Sequence, residues 1–571
     1  MKQIIKKLIL TYLIVVFVKI VFSFFISSPT GFWDEYIYAK VGRSFYYFNN
    51  FNIEQNPSPF YPPLYSILIS IAYLLKDMDL VYLAMKIINA FVSSMIIIPA
   101  YLLSKELLKE NQQIYVPILI LFLPSNFSFS SYLLSENLFY PLFLSAIYFI
   151  YKTLKENNLK NNILASIFIS LSYLTRSIGL ILIGIYFLSH LTNWIISKEK
   201  LQFRNLILSG FVMALIISPW LIRNYIEFGL TIKNILGWSA SDNVKAVSRY
   251  KDFFIPAFAT WVIIYTVALS LMSGLIFFFS SFFTLKHIKD KNNIHYFLIL
   301  AIITVVSYVL VLANNALGPQ PENLPRIFHF LTGRPILRYI EMLNPMIIIL
   351  GTVGLNNFYE TQNKKLLRNI VILSIPFFII ASQLVIYPLT PINNLSLSNI
   401  GLIVVILNYL TQSKLLFNFV NYIIMLSFFI ILPFSTFLIN KLSFKQIFCL
   451  ILSLFILTNI INFGINYYQA DKWSNEEQIK ISKWFNENDE KISNVLIDER
   501  YIGNPLINKS ALYNKLGDEQ YLTLMGFWIN DNLFFGDIKK TNNMDYIITK
   551  EKLNLNLVKQ EGHINIYRVN S

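Results

Sequence analysis

Apolar runs close to the length that crosses a bilayer recur along this chain from about residue 8 to residue 466, separated by short polar loops. Backbone in hydrocarbon must satisfy its own hydrogen bonds, so such a chain folds as a bundle of membrane-spanning helices. With 55% of its 571 residues hydrophobic, only 14% charged and a mean hydropathy of +0.54, it is too apolar for a soluble globule. A net charge of +15 would elsewhere suggest nucleic acid. Here the lysines and arginines recur in short loops, the positive-inside pattern, so the charge reads as topology and the expected partner is the lipid bilayer, with no nucleic acid. The one cysteine, Cys449, lies in an apolar run and offers neither a disulfide framework nor a thiolate metal cluster.

The first span, about 8–26, follows Lys2, Lys6 and Lys7 and reads as an uncleaved anchor running from cytoplasm to exterior. The next loop, 27–79, is then external. Its prolines at 57, 59, 62 and 63 exclude a helix interior, and the apolar piece 64–75 is too short to span, which predicts an interfacial or re-entrant helix. Further spans are expected at about 80–103, 114–131, 138–151, 163–176, 178–196, 205–222, 256–284, 295–313, 338–354, 369–387, 415–438 and 446–466. With the short run 398–411 left uncrossed, these make about thirteen transmembrane helices and leave the tail outside.

From about residue 470 the sequence turns polar. A helix is expected near 475–485 and strands at 495–498, 546–548 and 564–569, which describes a small α/β layer domain. The fold class is therefore an all-α polytopic membrane protein, residues 1–469, with a soluble, extracytoplasmic α/β domain at 470–571.

Polar groups at the lip of a membrane bundle are costly to place, so each is a functional candidate. The predicted outer face collects Asp34 and Glu35 in the first loop, Glu136 before the fourth span, and Arg176 at a hairpin between short spans. It also collects Arg223 at the end of the seventh span, and Arg326, Arg334 and Arg338 in or just after the loop 314–337. Acids beside arginines suit a reaction in which a hydroxyl loses its proton while a departing phosphate is stabilised, and arginine grips phosphate by a planar fork. Each also has a plainer reading. Asp34 and Glu35 can be solvated acids in an aromatic belt with Trp33, Tyr36 and Tyr38; Arg176 and Arg338 can snorkel; Glu136 can cap a helix; Arg326 and Arg334 can be loop charges. Asp77-Met78-Asp79 has the spacing that holds a nucleotide sugar's metal, but on the predicted exterior it reads as a loop coincidence.

In order along the chain stand Asp34-Glu35 after the first span, Tyr61-Pro62-Pro63-Leu64-Tyr65, Ser135-Glu136, Thr175-Arg176-Ser177-Ile178-Gly179, Pro219-Trp220-Leu221-Ile222-Arg223-Asn224-Tyr225, and Arg338-Tyr339 with Pro345 beyond. This series resembles the membrane-embedded GT-C glycosyltransferases, in particular the protein O-mannosyltransferase and aminoarabinose transferase branch, over most of residues 1–350. The resemblance implies a bundle of about a dozen helices and a donor sugar carried on a polyprenyl phosphate. It further implies that Asp34 corresponds to the family's catalytic acid with Glu35 as companion, and that Arg176, Arg223, Arg338 and Arg334 are candidates for the donor phosphate. Glu136, Tyr61 and Tyr339 are further site candidates. The function so implied is transfer of a sugar to an extracytoplasmic hydroxyl of a protein, glycan or lipid.

The chain also departs from the family. Of five histidines only His329, near Arg326, lies in an expected external loop of the membrane part, so a divalent metal ion, which the resemblance leaves open as a cofactor, has few ligands to hold it. No Trp-Trp-Asp motif of the oligosaccharyltransferase type occurs. The rival class is a transporter or flippase of lipid-linked sugars, in which arginines bind the cargo and an acid couples protons. No inverted repeat or matched pair of broken helices speaks for it.

Overall fold

The structure is a computed structural model that describes residues 2–30, 33–58, 61–198, 202–229, 254–317, 336–381, 398, 401, 414–488, 492–498, 525–538 and 543–569. Arg326, His329, Arg334 and most of the run 398–411 lie outside the described residues. Among the described residues eight helices are long and apolar enough to cross a membrane, or nine if the pair Glu110–Leu121 and Pro124–Ser131, bent by 50°, is one span. Fewer qualify than the sequence predicts. Leu159–Thr175 has 17 residues, Glu136–Lys155 carries charge at both ends, and Lys364–Ala381 opens with Lys364, Lys365 and Arg368.

The chain divides into two compact units. The first comprises Met1–Val15, Val92–Ser128 and Leu138–Asn462 and is helical among its described residues. Its helices approach closely where the sequence supplies small residues. Gly351 and Gly354, on the helix Asn344–Thr361, lie against the helix Leu275–Ser281, where a Cβ on either would collide with the backbone of Phe277 or Ser280. Polar pairs also join helices across the unit. Gln112 and Asn356 exchange amide hydrogen bonds at 2.8 Å in both directions, and the Tyr186 hydroxyl donates to Asn162 Oδ1 at 2.5 Å.

The second unit comprises Val16–Phe91, Phe129–Asn137 and Phe463–Ser571. Its first segment holds the predicted external loop, and the chain there is ordered into elements. A helix, Trp33–Phe48, is followed by a hairpin of β1 (Asn52–Ile53) and β2 (Asn56–Pro57), then a helix, Leu64–Ser70, that tightens into a 3-10 turn at Ile71–Leu75. The apolar helix 64–75 is too short to span, as its sequence predicts. The tail forms a five-stranded sheet of β3 (Asn494–Asp498), β4 (Asn532–Gly536), β5 (Tyr546–Thr549), β6 (Asn556–Glu561) and β7 (Ile564–Arg568), in the order β4-β3-β5-β7-β6. β3 runs parallel to β4 and β5, while β7 runs antiparallel to β5 and β6. Ile481 and Phe485, on the helix Glu477–Asn488, share a buried core with Val495, Ile497, Ile548 and Ile566 of the sheet. The α/β tail is as the sequence predicts, with β4 and β6 added to the three expected strands.

Candidate functional site

Asp34 and Glu35 stand in the first turn of the helix Trp33–Phe48, not in coil as the sequence suggests. The turn itself favours them, because carboxylates complement the partial positive charge of a helix N-terminus. One residue of helix turns the two side chains about 100° apart, and the structure gives them different roles. Glu35 is fully buried. Its Oε2 accepts from the backbone N–H of Thr30 at 2.9 Å and its Oε1 from that of Leu133 at 2.8 Å. A carboxylate so engaged ties the segment before the helix to the segment 129–137, and both its oxygens are committed.

Asp34 is half-buried, and its Oδ1 accepts the Tyr61 hydroxyl at 3.3 Å. Tyr61 packs edge-to-face on Tyr38 with ring centroids 5.3 Å apart, and the Tyr38 hydroxyl lies 2.7 Å from Ser135 Oγ. A series of contacts, two hydrogen bonds joined by one ring-to-ring contact, therefore runs from Asp34 through Tyr61 and Tyr38 to Ser135, beside Glu136. Glu136 is buried and opens the helix Glu136–Lys155, the position in which an acid serves a helix N-terminus. Asn137 donates at 3.0 Å to the carbonyls of Phe129, Tyr132 and Leu134, which fixes this turn. Asp34, Glu35, Tyr61 and Glu136 thus all belong to the second unit.

The arginines Arg176, Arg223 and Arg338 belong to the first unit, and two of them lie near one tyrosine ring there. Arg176 follows the helix Leu159–Thr175 in extended conformation, with φ −149° and ψ 134°, and its Cζ lies 4.6 Å from the centroid of the Tyr339 ring. Arg338 Cζ lies 5.4 Å from the same ring. Two guanidinium groups thus lie within cation–π range of one aromatic ring. The Tyr140 hydroxyl donates to the Arg338 carbonyl at 2.9 Å and to the buried Glu341 carboxylate at 3.5 Å, holding the turn that carries Arg338. Arg223 has other company: its Cζ lies 5.1 Å from the Trp220 ring and 5.4 Å from the Phe228 ring, and it donates to Asn224 Oδ1 at 3.0 Å, all on its own helix.

Tyr140 and Glu341 escape sequence reasoning, which names Tyr38 only as an aromatic-belt residue and Ser135 only as the neighbour of Glu136. Of the two missed residues Tyr140 carries a signal, four residues after Glu136 and therefore on the same helix face. Asp77 and Asp79 have local duties: Asp77 Oδ1 accepts the N–H of Leu80 at 3.0 Å as a helix cap, and Asp79 pairs with Lys483 at 2.6 Å. Among the described residues no three His, Cys, Asp or Glu side chains are grouped so as to hold a metal ion.

No protein-family model matches the sequence, and no curated protein is significantly similar to it. Solved structures are similar in fold. The crystal structure of ArnT from Cupriavidus metallidurans bound to undecaprenyl phosphate superposes with a TM-score of 0.57, covering 99% of this chain and 97% of that one at 11% identity. The same protein in its apo state gives a TM-score of 0.53 with the same coverage and identity. At that identity the likeness speaks for the architecture, and over nearly its whole length the chain has an ArnT-like, GT-C-like fold.

Proposed function

We propose that this protein is a multi-pass membrane glycosyltransferase that moves a sugar from a polyprenyl-phosphate donor to an acceptor hydroxyl. A solved structure of ArnT holds undecaprenyl phosphate in this fold, which supports a lipid-phosphate donor here. The observation that carries the reading is the division of labour between adjacent carboxylates: Glu35 is consumed by two backbone N–H groups, whereas Asp34 is half-buried beside a phenol.

In the proposed reaction Asp34 takes the proton of the acceptor hydroxyl as its oxygen attacks the anomeric carbon. The bond from that carbon to the phosphate oxygen breaks in line, so the sugar's configuration inverts and polyprenyl phosphate leaves. Positioned general-base assistance of this kind contributes about 10²–10⁴-fold. Arg176 and Arg338, organised by Tyr339, are assigned to the phosphate, whose negative charge grows as the bond breaks. Arg223 and Arg334 are secondary candidates for the same anion. Lys2, Lys6 and Lys7 before the first span support an extracytoplasmic reaction, with the domain 470–571 on that side.

The test uses the full-length protein in liposomes with a panel of radiolabelled polyprenyl-phosphate sugars. Free polyprenyl phosphate together with a labelled acceptor product supports the enzyme. Movement of intact donor across the bilayer without bond cleavage contradicts it in favour of a transporter.

A further inference from the structure

Four residues of the helix Trp33–Phe48 fall at the spacing of a single helical stripe: Tyr36, Lys40, Arg43 and Tyr47. All four meet the C-terminal tail. A Cβ on Gly526 would lie 2.9 Å from Tyr36 Cε2, so the tail backbone already rests on that ring. Lys40 Nζ, buried, donates to the carbonyl of Ile529 at 2.7 Å and pairs with Glu54 Oε1 at 3.2 Å, an oxygen that also accepts the Tyr36 hydroxyl at 2.8 Å. Arg43 donates through Nε to Asn530 Oδ1 at 3.0 Å, and through one terminal nitrogen to Asn530 O at 3.0 Å and Asn532 Oδ1 at 3.4 Å. Asn530 Nδ2 in turn donates to the Tyr47 hydroxyl at 3.3 Å and to the carbonyl of Lys76 at 3.5 Å.

Asp34 lies two residues before Tyr36, a rotation of about 200°, so it shares the other side of the helix with Tyr38. One helix therefore presents its carboxylate on one side and is gripped by the tail on the other. The grip is specific. It joins positions 487 residues apart through a planar guanidinium matched to one asparagine.

We propose that the tail segment 525–532 is the positioning element of the helix that carries Asp34, with Asn530 as its central positioning residue acting through Arg43. This rests on the reading of Asp34 as the base. The tail is then a working part of the site's geometry and more than a cap. A slack helix would let Asp34 wander, and a displacement of 1 Å at a reacting group can cost about 10²-fold in rate.

The experiment compares full-length wild type with Asn530→Ala, Asn530→Asp and Gly526→Ala. It reads backbone amide exchange of residues 33–48 by mass spectrometry, and kcat and donor KM in the sugar-transfer assay. Asn530→Ala is expected to speed exchange of 33–48 and to lower kcat at least about tenfold with donor KM unchanged. Asn530→Asp keeps an acceptor for Arg43 and should restore both. Gly526→Ala, which presses on Tyr36, should repeat the Asn530→Ala result. Unchanged exchange in Asn530→Ala and Gly526→Ala overturns the proposal, as does faster exchange with kcat per folded molecule unchanged. If the wild type transfers no sugar at all, the functional reading fails, while the exchange data still decide whether the tail holds the helix.

Discussion

Glu35 and Leu133 are joined by a hydrogen bond of 2.8 Å across 98 positions of sequence, the backbone N–H donating to a fully buried carboxylate. Glu35→Gln puts an amide where two acceptors are needed and should cost about 1–3 kcal/mol of stability, seen as a lower thermal midpoint, while the folded fraction retains much of its turnover. Asp34→Asn should do the reverse. A Glu35→Gln protein of unchanged stability and abolished turnover would exchange the two roles.

The shared ring of Tyr339 makes a second prediction. Tyr339→Leu removes the aromatic ring that both Arg176 and Arg338 approach, and each such contact is worth about 0.5–2 kcal/mol. Donor binding should weaken by roughly three- to thirtyfold, with acceptor KM unchanged. Arg338→Ala should act in the same direction and more strongly. Titration of polyprenyl phosphate against each variant checks this, and an unaltered affinity in both removes the pair from the donor site.

Lys40 and Glu54 form a buried ion pair, each side chain 2% exposed. Taking away one partner leaves a buried charge, so Glu54→Gln should destabilise the protein by about 3–5 kcal/mol in a thermal or denaturant series. A double variant, Lys40→Met with Glu54→Gln, should recover part of that loss. Equal stability of the wild type and Glu54→Gln would show that the pair carries no weight in the fold.

The same lysine gives the protein a pH dependence. Burial lowers the Lys40 pKa from the usual 10.5 to about 8, against the opposing pull of Glu54. In the unfolded chain the amine keeps its ordinary value. Between those two values the unfolded chain binds more protons than the folded one, so this group's contribution to stability rises as pH climbs through the window. The thermal midpoint of wild type relative to Lys40→Met should accordingly increase from about pH 8 toward pH 10.5. A difference that is flat or falls across that range would contradict the assignment.

Much of the architecture is written in hydrophobic period and length. The helix Phe203–Phe228 follows from an apolar run, and the short helix 64–75 from a run too brief to span. β3, β5 and β7 show as compact buried runs, whereas β6, Asn556–Glu561, has no fully buried residue and no apolar pattern to mark it. The helix Trp33–Phe48 is the instructive miss. Its charges and tyrosines look like loop, and only the stripe Tyr36, Lys40, Arg43 and Tyr47 betrays a helix, one whose partner lies in the tail. The residue types of the site are likewise legible, but not their fates. Nothing in the pair Asp34-Glu35 says which acid is spent on backbone donors, because the donors, Thr30 and Leu133, come from separate stretches of chain. Likewise the meeting of Arg176 with Tyr339 depends on how helices pack in the first unit.

The most direct measurement is the turnover of purified Asp34→Asn beside wild type, with a polyprenyl-phosphate sugar that the wild type cleaves and with thermal midpoints recorded for both. The amide keeps the size and the acceptor for Tyr61 but cannot take the proton, so the midpoints should agree while release of polyprenyl phosphate falls by about 10²-fold or more. Turnover within a few-fold of wild type in a folded Asp34→Asn protein would contradict the base assignment and, with it, the reaction proposed for this fold.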